Sequence, residues 1–203
     1  IALLALARKK RWPSLAVDSL AATALYHLLW LFGGIDAERS WLGVAIVVVF
    51  GGLFALFPIA ATPGGDKSSE AKTATAVRIG AVLLPFLLAL SFAGRANLGE
   101  QLWETAVLCV VLSIGAAFVG RRESAEWIGL GAVGGALGIL ALWAMQHRLT
   151  LNTTWQLVGT LALVAAAHHV TVELGRGKAL STWLAAGAAS LGGIALLALI
   201  STG

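Results

Sequence analysis

The sequence predicts an all-α fold: a polytopic transmembrane helical bundle of about seven complete spans plus the end of an earlier one. Three observations predict it. Of 203 residues, 59% are apolar and only 12% are charged, whereas a soluble domain carries about 45–50% apolar and roughly 25% charged residues. Mean hydropathy is +0.88. The charges gather into short clusters, and between them lie seven long, continuously apolar segments of near-spanning length. The Lys and Arg of successive connectors alternate between rich and poor, as they do when each segment crosses once.

The chain opens with IALLALA at 1–7, followed by Arg8, Lys9, Lys10 and Arg11. A hydrocarbon core of about 30 Å takes roughly 20 helical residues to cross, so this stretch is expected to be the end of a helix that begins before residue 1. The whole of 1–203 then reads as a single transmembrane helical domain belonging to a longer multi-span protein. A cleaved signal peptide is not expected, because no small-residue cleavage site follows the run. The seven full segments fall at 13–33, 41–61, 79–94, 102–120, 127–145, 155–172 and 182–201. The third is short and carries Pro85, which should kink it. Helices are preferred to strands because the runs are rich in Leu and Ala and lack the alternation of a membrane strand. A helix also satisfies its own backbone hydrogen bonds in lipid. The longest connector, TPGGDKSSEAKTATAVR at 62–78, is Gly-, Ser- and Lys-rich and is expected to be a flexible linker.

Eleven of the fourteen Lys and Arg fall in alternate connectors (those holding Arg8 to Arg11, Lys67 to Arg78, Arg121 with Arg122, and Arg176 with Lys178). Three fall in the others, at Arg39, Arg95 and Arg148. The positive-inside rule then puts the basic N-terminal cluster on the cytoplasmic side of the membrane. All eight tryptophans lie near a segment end: Trp12, Trp127 and Trp183 on the inner side, and Trp30, Trp41, Trp103, Trp143 and Trp155 on the outer. Indole favours the head-group layer, so each reads as an interfacial anchor.

The net charge of +4 points to anionic lipid head groups. No nucleic acid is expected as a partner, because no segment interleaves aromatics with a basic face. Lone Cys109 allows no internal disulfide and no thiolate metal site. There is no G-x-x-x-x-G-K-[ST], H-E-x-x-H or G-x-S-x-G, and GRGK at 175–178 is too short to cradle a phosphate. No catalytic residue, metal or cofactor is therefore assigned. Asn152-Thr153-Thr154 matches the glycosylation acceptor pattern and decides nothing.

Three residues are candidates for chemistry. Asp18 lies inside the first full span, where an acid is costly. It reads either as an interfacial carboxylate paired with Arg11 or as a proton or cation site open to the inner side. His169 and Glu173 share a face of the sixth span four residues apart, a spacing that suits a hydrogen bond or a proton relay. No second pair exists to complete a metal site. His168 points about 100° away from His169. His27 lies too far from both in depth for a shared haem. In the fifth span, Gly131 with Gly135 and Gly134 with Gly138 form two Gly-x-x-x-Gly pairs. Such faces let helix backbones approach in lipid, within the chain or between chains of a homo- or hetero-oligomer. Gly187, Gly192 and Gly193 make a similar surface on the last span.

The stretch LLALARKKRWPSLAVDSLAATALYHLLW at 3–30 resembles a repeating unit of predicted bacterial membrane proteins grouped as domain of unknown function 2339. The residues that carry the resemblance are Arg8, Lys9, Lys10, Arg11, Trp12, Thr23, Tyr26 and Trp30. It implies a polytopic inner-membrane protein, typically much longer than this chain, and supplies no catalytic residue.

Two functions are expected from these features. One is a structural or assembly component of the bacterial cytoplasmic membrane, favoured by the sparse polar groups and the glycine faces. The other is a small-solute or proton-coupled transporter using Asp18, His169 and Glu173, for which Asp18 and His169 should lie within about 8 Å across a helix contact. An intramembrane enzyme would need polar residues grouped at a rim, and that same cluster is its single candidate.

Overall fold

A computed structural model describes residues 2–10, 12–33, 39–56, 67–95, 102–125, 127–174 and 180–201. Among them are eight helices and no strand: α1 (Ala2–Lys10), α2 (Pro13–Gly33), α3 (Ser40–Leu56), α4 (Lys67–Ala93), α5 (Leu102–Arg122), α6 (Trp127–Gln146), α7 (Leu151–Leu174) and α8 (Leu180–Ser201). Each predicted apolar segment has its helix. Four described stretches are long and apolar enough to cross a membrane: Lys72–Ala93, Leu102–Arg122, Trp127–Gln146 and Leu180–Ser201.

Two boundaries differ from the sequence expectation, each for a local reason. Residues 67–78, expected to be flexible linker, form the first three turns of α4. This stretch, KSSEAKTATAVR, has no Gly or Pro to break it, and its Ala, Lys, Glu and Arg are good helix formers. The rest of that linker, 62–66, lies outside the described residues. The helix α7 begins at Leu151, four residues before the expected 155, because Thr150 caps it. The Thr150 and Thr153 side chains exchange hydrogen bonds with each other's backbone N–H, at 2.8 and 3.2 Å, the reciprocal pattern of a capping box. The Asn152-Thr153-Thr154 acceptor pattern thus lies in the first helical turn.

The helices α4, α5 and α6 pack against one another at the centre. On one side α2 and α3 lie against α4, with α3 reaching α5 and α1 resting on α2. On the other, α7 packs on α5, and α8 on α6 and α7. The largest fully buried side chains include Trp143, Phe54, Leu102, Ile139, Leu140 and Leu157. Trp143, expected as an interfacial anchor, is covered by neighbouring helices. It is stacked on His147 at 4.6 Å with an 11° tilt, while Trp12, Trp41, Trp103, Trp127, Trp155 and Trp183 are exposed.

Lipid tails are as apolar as leucine, so association of such helices depends on close packing more than on burial. Two contacts show how closeness is achieved. Gly135 of α6 faces the Phe86 ring of α4, where an added Cβ would come within 2.7 Å of Cδ1. Gly51 of α3 covers the stretch of α4 weakened by Pro85, where a Cβ would meet the Ala81 carbonyl oxygen at 3.3 Å and the Pro85 ring at 3.4 Å. Proline has no N–H to give to the carbonyl four residues back. The missing side chain at Gly51 is what lets α3 pack over that carbonyl.

Candidate functional site

A buried polar arrangement joins α4 to the α5–α6 connector at one end of the bundle. There α5 finishes in a Schellman turn: the Ala125 N–H donates to the Gly120 carbonyl at 2.9 Å and the Ser124 N–H to Arg121 at 3.4 Å. Ser124 takes the left-handed conformation this turn needs, with φ of 52°. The turn places Glu123 against α4. Thr75 Oγ1 donates to its Oε2 at 2.6 Å, Arg78 Nη1 donates to its Oε1, and Arg122 Nε lies 4.0 Å from Oε1. The Glu123 side chain is only 8% exposed and that of Arg78 14%. Burial alone would push the Glu123 carboxyl up. The hydrogen bonds from Thr75 and Arg78, with the charges of Arg78 and Arg122, outweigh it and hold the group below its ordinary value. The arrangement binds one carboxylate to a second helix.

The sequence-predicted residues are distributed differently. Asp18 is exposed on α2, and among the described residues α2 contacts α1, α3 and α4 and makes no contact with α7. The structure therefore does not bring Asp18 together with His169 and Glu173, and the expected close approach of Asp18 to His169 is not formed. Arg11 lies outside the described residues. His169, itself exposed, reaches across to α8, its Nε2 3.0 Å from Ser190 Oγ. Glu173 is exposed near the end of α7. His168 turns inward and is 1% exposed, in a small cavity with Gly120, Arg121, Gly129 and Thr182. Among the described residues, no three His, Cys, Asp or Glu side chains gather as a metal site would require.

The glycine pairs divide. Gly135 packs within the chain on Phe86, while Gly131, Gly134 and Gly138 have nothing within 4 Å of an added Cβ and are exposed. They lie at i, i+3 and i+7, a single open stripe on α6. On α8, Gly192 and Gly193 pack on Leu137 and Leu161, and Gly187 has open space.

Several buried polar side chains were not singled out from the sequence. Glu104, in the first turn of α5, is 5% exposed, with Oε2 buried and without a hydrogen-bond partner. Thr105 and Ser113 Oγ atoms on the same helix are likewise buried without a partner. An acid at a span's first turn looks in sequence like a rim charge facing water, and only the neighbours of α5 turn it inward. Thr75 and Arg78 were hidden for a different reason: both fall in the stretch read as linker. His27 packs edge-on against Phe50 at 5.1 Å and lines two small cavities between α2, α3 and α4, one of which also reaches Leu108 of α5.

Comparison with known proteins finds no matching family model, no similar curated protein and no similar solved structure.

Proposed function

We propose that the chain is a multi-pass integral protein of a bacterial cytoplasmic membrane and serves there as a structural or assembly component. In this reading its seven long apolar segments each cross once and the α5–α6 connector faces the cytoplasm. Membership in the family that residues 3–30 resemble is part of the proposal.

The observation that carries it is the hold of Thr75 and Arg78 on Glu123. A covered ionisable group marks either a working site or a fixed structural partnership. Here the cation and the anion are spent on each other across two elements, which makes a clamp. His169 similarly links α7 to α8 through Ser190. The open stripe of Gly131, Gly134 and Gly138 supports assembly, since exposed small residues are the surface on which a second membrane helix packs closely.

Two measurements test the reading. Single cysteines placed in successive connectors and probed with an impermeant thiol reagent in intact cells should label on alternate sides. Two neighbouring connectors labelled from one side would remove a crossing. Proteoliposomes carrying an internal pH dye, under an imposed proton gradient and potential, should behave as protein-free vesicles. A proton flux abolished by Asp18→Asn would replace the structural reading with the transporter.

A further inference from the structure

On the membrane-facing side, α5 and α7 leave a groove between them of about 1000 Å³. Its α5 wall is Val110, Ile114, Ala117 and Phe118, spaced i, i+4, i+7 and i+8. Its α7 wall is Leu163, Ala166, Ala167 and Val170, spaced i, i+3, i+4 and i+7. Each set is one helical stripe. The α5 stripe ends on Arg121 and Arg122, which close one end of the groove.

We infer that this groove binds one anionic phospholipid of the cytoplasmic leaflet, its phosphate at Arg121 and Arg122 and an acyl chain along the α5–α7 stripe. The inference rests on the membrane topology proposed above. Length is the first argument. From Val110 to Arg122 the groove runs about 18 Å at 1.5 Å per residue, a little over half of a hydrocarbon core of about 30 Å. A groove of that length beginning at a rim holds a lipid from one leaflet. Shape is the second: three alanines open the space, and exposed Ile114, Phe118, Leu163 and Val170 offer dispersion contacts to a methylene chain. The volume stands at the top of the range of about 300–1000 Å³ that encloses small ligands, which suits a chain and not an ion.

Charge is the third argument and selects the head group. At the rim, Arg78 and Arg122 face Glu123, and Arg121 lines the same end of the groove. Glu173, three residues beyond Val170 on α7, subtracts one further charge, leaving the rim positive. Arg176 and Lys178 follow it in sequence. Arginine is suited to phosphate because its planar fork can donate two parallel hydrogen bonds. The walls carry no charge, so positive charge stands at one end alone, as an amphiphile with an anionic head requires.

The test uses the purified chain in mixed detergent micelles with phosphatidylglycerol or phosphatidylcholine of identical acyl chains, reading lipid retained by native mass spectrometry. One phosphatidylglycerol should be retained in preference to phosphatidylcholine. Arg121→Gln and Arg122→Gln should each weaken that retention about fivefold, the value of one cation near an anionic lipid surface. Ala166→Trp should fill the groove and release the lipid with both arginines in place. Ala166 is exposed, so this change leaves the helix contact intact. Glu173→Gln should tighten retention. Equal retention of the two lipids, or unchanged retention in the arginine variants or in Ala166→Trp, overturns the inference. So does an Ala166→Trp that dissociates an oligomer while lipid stays bound, since the groove would then be covered by protein. Retention in micelles does not depend on sidedness, so a wrong topology is detected separately. Labelling of Ser124→Cys from the outside of intact cells would refute the cytoplasmic placement while leaving the lipid result standing.

Discussion

Arg78 and Glu123, forty-five residues apart in sequence, form an ion pair that joins the third turn of α4 to the turn after α5. Both side chains are nearly covered, and Thr75 completes the carboxylate's shell from one turn earlier on α4. Removing one member of such a pair leaves the other covered and unmatched, which costs more than the pair itself contributes. Arg78→Leu should therefore destabilise the detergent-solubilised protein by about 2–4 kcal/mol. Replacing both partners, Arg78→Leu with Glu123→Leu, should restore part of that loss. A double-mutant cycle on thermal unfolding gives the coupling, and strictly additive losses would mean that the pair does not interact.

The same carboxylate gives a pH signature whose sign follows from its depressed value. Between its folded value and the ordinary 4.5, the unfolded chain binds more protons than the folded one, so stability rises with pH there. The stabilisation from this group is fully present above 4.5 and is lost as pH falls through the folded value. Unfolding temperature measured from pH 7 downward should decline below about pH 5, and Glu123→Gln should flatten that decline. A variant with an unchanged acid slope would assign the slope to other carboxylates.

Ser124 takes a left-handed conformation that costs a residue with a Cβ about 1–2 kcal/mol and glycine almost nothing. Ser124→Gly should raise stability by about 0.5–1 kcal/mol in chemical unfolding, after allowance for the greater freedom glycine gives the unfolded chain. Ser124→Val, β-branched at the same φ, should lower it. A destabilised glycine variant would show that the Schellman turn is not formed.

Glycines of one helix should separate by role. Gly135→Leu drives a side chain into the Phe86 ring and should destabilise the monomer by about 1–3 kcal/mol, the usual effect of overpacking. Gly134→Leu meets open space, so the monomer's unfolding should hardly change, while any oligomer seen by crosslinking in membranes should weaken. Equal thermal losses for both variants would contradict the packing described for α6.

Gly51 should resist a larger side chain as well. Gly51→Val places two methyl groups where one Cβ already meets the Ala81 carbonyl and the Pro85 ring, so α3 must move off α4. Restoring a hydrogen-bonded turn with Pro85→Ala should not rescue it, because the clash is with backbone. Rescue measured by thermal unfolding would place the conflict on the proline ring instead.

Number, order and approximate limits of the helices were readable from the chain alone, because apolar run length and clustered charge are local properties that a bilayer sets directly. Expected 127–145 became Trp127–Gln146, and expected 182–201 became Leu180–Ser201. Which polar residues meet was not readable. Asp18, His169 and Glu173 share a depth in sequence, yet depth does not specify azimuth, and α2 and α7 lie on opposite sides of the central helices. The clamp was concealed because Thr75 and Arg78 were counted with a connector and Glu123 with a loop. The four glycines of the two Gly-x-x-x-Gly pairs on α6 look alike in sequence, and the position of Phe86 makes Gly135 an internal contact while Gly131, Gly134 and Gly138 are left open. Composition thus determined that this chain is a set of apolar helices. Tertiary structure decided their neighbours, because lipid solvates every face of such helices alike and only shape and paired charge distinguish one face from another.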